Sequence, residues 1–109
     1  MEEVRVKIKN GHDITLDKIC PCVDNTVYLD SEHKSKIVFS KETIQIISYS
    51  DDARVEIELG QISKARIIHR EHKVDIRVDV KDLVFDSKYI RAVYYTGELM
   101  ELNIEFLQE

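Results

Sequence analysis

Apolar and charged residues alternate one for one along most of this 109-residue chain, a pattern that admits little except half-buried antiparallel strands. Val4, Val6 and Ile8 alternate with Arg5, Lys7 and Lys9, and Val55, Ile57 and Leu59 with Glu56 and Glu58. Val74, Ile76, Val78 and Val80 alternate in the same way with Asp75, Arg77 and Asp79. Successive side chains of a strand point to opposite faces, so each run offers one face to a core and the other to water. No segment sustains a helical period over three turns. The best helical candidate, Glu98 to Glu109, reads more cleanly as a strand with Met100, Leu102, Ile104 and Phe106 on one face. Ile and Val outnumber Leu and Ala, which agrees with β structure.

Turn chemistry divides these runs. Asn10-Gly11-His12-Asp13, Asp24-Asn25, Asp30 to Lys34, Ser50-Asp51-Asp52 and Arg70-Glu71-His72 are breaks between strands. Ile90 to Tyr95 and Met100 to Phe106 form a hairpin across Thr96-Gly97-Glu98, whose glycine supplies a positive φ. The expected fold is therefore all-β and antiparallel, with about ten short strands. The lone proline, Pro21, cannot donate to a ladder, so it marks an edge, a bulge or the start of a connection.

The second half of the chain echoes the first. Arg5 to Gly11 recurs as Arg54 to Gly60, Ile14 to Ile19 as Ile62 to Ile67, and Lys36 to Ile44 as Asp82 to Ile90. These echoes suggest two structural repeats, 4–52 and 53–106, within one compact domain 1–109. They allow two architectures, two fused SH3-like or Sm-like barrels or one larger pseudo-duplicated barrel or sandwich. No linker-like stretch separates the halves, because Glu58-Leu59-Gly60-Gln61 runs straight into the next apolar segment.

Charge and composition narrow the function. The net charge is −5, with 21 acidic and 16 basic residues interleaved along almost every segment. A mimic of a phosphate backbone would concentrate its carboxylates, and non-specific nucleic-acid binding needs a basic surface, so both are disfavoured. A local basic patch remains compatible with the sequence. The start Met1-Glu2-Glu3-Val4 lacks the features of a secretory signal, and no apolar run is long enough to span a bilayer. The expectation is a cytoplasmic protein. Cys20 and Cys22 point the same way on an extended chain, which suits two reduced thiols better than a disulfide.

Residues 6–48 resemble the Sm-like family of small SH3-like barrels, particularly its bacterial RNA-chaperone branch. The resemblance is carried by Lys9-Asn10-Gly11, the strand Ile14 to Ile19, Val23-Asp24-Asn25, Val27-Tyr28-Leu29 and Ile37-Val38-Phe39. It implies a small barrel and a ring-forming habit, with an RNA or nucleotide ligand at Asp24, Asn25, Ser40 and Lys41. The chain departs from the family at Leu16, where the family has a bending glycine, and at Val23, where it has an aromatic. At Ser40-Lys41 the family's Lys-His pair is not reproduced, so RNA binding is not carried over with the fold. The strand pattern and the Ile62 to Ile67 step also resemble bacterial pleckstrin-homology-like domains, which implies a regulatory role as a further alternative.

Few residues suggest chemistry. His69 and His72 flank a turn and are the weak candidates for a metal site, since only the turn could bring them together. The bland reading is a solvated polar turn. There is no phosphate-binding glycine loop, no nucleophile elbow and no metal-binding Glu-x-x-His helix, so the chain reads as non-enzymatic and no cofactor is expected. Phe39 and Phe85 hold equivalent positions in the two halves and read as core anchors. Tyr94 and Tyr95 are consecutive and must face opposite sides, so one of them, together with Arg91, is a candidate interface anchor. The leading expectation is a protein-interaction or self-assembly module.

Overall fold

The computed structural model describes residues 2–107 and is a single all-β sheet curled into a nearly closed barrel. Its strands are β1 (Glu2–Asn10), β2 (Asp13–Val23), β3 (Thr26–Tyr28), β4 (Ser35–Phe39), β5 (Ile44–Tyr49) and β6 (Ala53–Leu59). They continue with β7 (Lys64–His69), β8 (His72–Arg77), β9 (Asp79–Phe85), β10 (Tyr89–Tyr95) and β11 (Leu99–Leu107). No helix occurs among the described residues, and the segment from residue 99 is a strand. Gln108 and Glu109 lie outside the described residues. The sheet order is β8-β7-β6-β5-β4-β3-β2-β1-β11-β10-β9. It is one larger barrel, because the first half does not close on itself: β1 pairs with β11 as well as β2, and β5 passes directly to β6.

Every ladder is antiparallel, and all but one join strands consecutive in sequence. The exception is β1 with β11, where Val4 faces Phe106, Val6 faces Ile104 and Ile8 faces Leu102. Ten antiparallel steps separate β8 from β9 around the eleven strands, an even number, so the two run in the same direction. They are joined by Val78 alone, and the inward alternation Ile76, Val78, Val80 continues across the join. Residues 72–85 are thus one extended run that changes partner at Val78, bonding β7 first and β10 afterwards. Counted this way the barrel has ten staves. Each half of the run leaves one edge open, and these edges form the seam of the barrel.

The inward face supplies the core. Val4, Val6, Val27, Ile37, Ile44, Leu59, Ala92, Leu102 and Ile104 are fully buried, at 0% exposure. Cys20 and Cys22 join them on the inner side of β2 as free thiols, and burial pushes both thiols up from their ordinary range. Pro21 lies between them opposite Glu3, and β3 reaches only Cys22 and Val23. The part of β2 that contains Pro21 therefore has one ladder partner among the described strands, an edge where a missing donor is tolerated. Thr15 is an extra residue there, since Ile8 faces Leu16 while Lys9 faces Ile14. Such a bulge, together with a proline and the exposed, charged Lys18 on the same strand, protects an open edge from pairing with another chain.

Alternation along the barrel fixes which loops share an end. The β2–β3, β4–β5, β6–β7 and β9–β10 connections lie at one mouth, with the start of β1 and the finish of β11. The β1–β2, β3–β4, β5–β6, β7–β8 and β10–β11 connections lie at the other.

Candidate functional site

The first of these mouths holds all three phenylalanines of the chain. Phe39 ends β4, Phe85 ends β9 and Phe106 stands one residue from the end of β11, so three strands running the same way deliver their rings to one place. Each ring packs against the core while staying half-buried, so Phe39 and Phe85 are rim residues of the core rather than its centre. Phe39 and Phe106 meet edge to face, with centroids 5.7 Å apart and planes at 62°. With buried Ile90 the rings floor a hollow of about 340 Å³.

The walls of this hollow are polar loops held in place by their own hydrogen bonds. Asp24 and Asn25 both take positive φ, 50° and 62°, as a two-residue turn of the primed kind requires. The Phe39 amide donates to the Asn25 carbonyl at 3.0 Å, which ties this turn to the end of β4. Ser40 and Thr43 bond through their hydroxyls at 2.7 Å, and the Ser40 amide donates to the Thr43 carbonyl at 2.9 Å, so Lys41 is held at a tight turn. Across the mouth, the Lys88 amide donates to Asp86 Oδ1 at 3.0 Å and the Phe106 amide to the Lys88 carbonyl at 2.9 Å. Glu2, Asn25, Ser40, Lys41, Asp86 and Ser87 complete the rim. A neighbouring recess is lined by Glu2, Cys22, Val23, Asp24 and Asn25, so Asp24 stands just beside the mouth.

The four residues expected for a nucleotide or RNA ligand therefore lie together, with Asn25, Ser40 and Lys41 on the rim and Asp24 adjoining it. Sequence reasoning missed the aromatic floor. In an up-and-down meander, however, the ends of alternate strands share a mouth, and each phenylalanine falls at or next to such an end.

The other candidates lie elsewhere. Of the two consecutive tyrosines, Tyr95 is the exposed one at 44%, while Tyr94 is 2% exposed and belongs to the core, so Tyr94 is not a surface anchor. Arg91 shares the outer face of β10 with Tyr95 and pairs with Glu101 at 3.3 Å. Tyr95 lies directly opposite Leu99, itself 49% exposed, which makes a small apolar pair at the far mouth. His69 and His72 are register partners at the end of the β7–β8 hairpin, so the turn does bring them opposite each other. No group of three or more His, Cys, Asp or Glu side chains able to hold a metal occurs among the described residues.

A larger hollow, about 500 Å³, lies on the outer face between β1, β10 and β11, lined by Arg5, Lys7, Lys88, Tyr89, Asn103, Ile104 and Glu105. Its size does not make it the better site. Arg5 is engaged by two 2.9 Å hydrogen bonds to Asp17, which hold that carboxyl below the usual carboxylate range.

Burial of Tyr94 has a measurable consequence. Desolvation of the phenolate pushes its pKa from the ordinary value of 10 up to about 12. Between these pH values the unfolded chain loses the proton while the folded chain keeps it, so stability is whole below pH 10 and falls as pH rises towards 12. The expected loss from this group is about 2–3 kcal/mol. Denaturant titrations at several alkaline pH values should show that slope, and Tyr94→Phe should remove it. An unchanged slope in the variant would place the alkaline loss in other groups.

None of the protein-family models, curated proteins or solved structures compared with this chain matches it. No helix is long and apolar enough to cross a membrane among the described residues.

Proposed function

We propose that this chain is a non-enzymatic protein-interaction module that takes an apolar part of a partner polypeptide into the phenylalanine-floored mouth. The observation that carries this reading is the gathering of all three phenylalanines, half-buried, at one end of the barrel. A barrel needs only enough apolar surface at its end to cover the core. Three aromatic rings left partly in water around a concave space resemble the anchor pockets of interfaces, where aromatic residues dominate the binding energy. The rim supports this use, because its loops are fixed by internal hydrogen bonds and lose little freedom when a partner docks. The sequence carries no catalytic motif, which favours binding over turnover.

A selection of random twelve-residue peptides against the protein, followed by amide-shift mapping with the winners, tests the proposal. Shifts should centre on residues 25, 39–41, 85–87 and 106, and Phe85→Ser should weaken the selected peptides at least about tenfold while the far-ultraviolet dichroism is kept. Peptides that bind the variant equally well would overturn it. A second reading, an interface on the outer strip of β10, is favoured by the exposed pair Tyr95 and Leu99 on the same face of the sheet as Arg91. Shifts confined to residues 89–99 would select that strip instead.

The Sm-like likeness of residues 6–48 fits this end of the molecule in one respect, because the ligand residues it implies, Asp24, Asn25, Ser40 and Lys41, lie on or beside the mouth. A ring-forming RNA-binding protein is the competing proposal, and its ligand would stack a base on the same phenylalanines.

A further inference from the structure

We infer that the group taken by this mouth is a cationic side chain of the partner, a lysine or arginine, methylated or not. The inference rests on the reading of the mouth as a docking site and adds the chemistry of its occupant. The face of an aromatic ring is the negative pole of its quadrupole, so rings around a concave space attract a cation that has shed part of its water. Three rings line the hollow, and two of them, Phe39 and Phe106, stand edge to face with planes at 62°, so their faces point in different directions.

Charge on the rim points the same way. Glu2 and Asp86 line the hollow, and Asp24 lines the adjoining recess that shares Glu2 and Asn25. The opposing cation on the rim is Lys41, which makes no ion pair among the described residues. Its exposed position on the turn lets the ammonium remain in water when a guest enters. Asp86 uses Oδ1 to accept the Lys88 amide, which fixes the carboxylate beside the rings. The whole chain carries −5, so a basic segment is drawn towards it from a distance as well. A phosphate-bearing ligand would meet these carboxylates on arrival, which sets the mouth against the nucleotide alternative.

The test is an amide-shift titration of the folded protein with three capped pentapeptides, identical in flanking alanines and differing at the centre in arginine, trimethyl-lysine or norleucine. Uridine 5′-monophosphate is the fourth probe. The two cationic peptides should shift residues at 25, 39–41, 85–87 and 106 and bind at least about threefold tighter than the norleucine peptide. Adding salt should weaken the cationic peptides. Glu2→Gln and Asp86→Asn, which keep side-chain size and the Asp86 oxygen acceptor, should each weaken them about two- to fivefold and leave norleucine unchanged. Equal binding of norleucine at the same residues would overturn the cation while leaving the apolar mouth standing. Shifts from the nucleotide alone would overturn both in favour of a nucleotide site, and no shift from any probe would overturn both outright.

Discussion

Truncation of Ile104 to alanine is expected to lower the free energy of unfolding by about 3–4 kcal/mol, a large part of what a domain of this size possesses. Ile104 is fully buried on β11 and faces Val6 on one side and Ile90 on the other, both buried too. Removing its branched side chain leaves a void between three strands whose backbones are tied in both directions, so the site cannot collapse around it. The position also joins the first strand to the last, which makes it a test of barrel closure as well as of packing. Urea denaturation followed by circular dichroism measures the effect, and a loss below about 1 kcal/mol would mean that these strands are not packed as described.

Val78→Asp is expected to cost about 3 kcal/mol or more, whereas Val74→Asp, four residues earlier in the same run, should stay within about 0.5 kcal/mol. Val78 is 6% exposed and sits where the run leaves β7 for β10, while Val74 is 55% exposed beside the hairpin end. A carboxylate at 78 would lack a partner in the core, and the cheapest response is for the run to part from the barrel. Amide exchange should therefore accelerate across residues 72–85 before it does so in β1 or β11. A penalty at Val78 as small as that expected at Val74 would show that the alternation through Val78 does not face inward.

Most of the strands could be read from the sequence because alternation is a local property. Val4, Val6 and Ile8 declare an inner face wherever the strand is placed, and the Thr96-Gly97-Glu98 turn dictates the pairing of its flanks. Val74 to Val80 was legible as a single alternating run, but its change of partner at Val78 was not. Which strand lies alongside is decided by the closure of the whole sheet, to which Arg77 and Asp79 give no local sign. Tyr94 and Tyr95 show the same limit, since alternation says that they differ and only the barrel says which is inside. The mouth was half legible. Asn25, Ser40 and Lys41 announced themselves as turn residues, but the convergence of Phe39, Phe85 and Phe106 depends on strand direction around a closed sheet.

The pairing of β1 with β11 has a temporal side. As the chain leaves the ribosome, each hairpin from β1–β2 to β7–β8 can form from neighbours already made, since consecutive strands meet locally. β1 cannot acquire its second neighbour until residues 99–107 have emerged, so until then Val4 and Val6 wait in an open, solvent-facing sheet. The charges that alternate with them, Arg5, Lys7 and Lys9, repel the same row on another nascent copy throughout that interval.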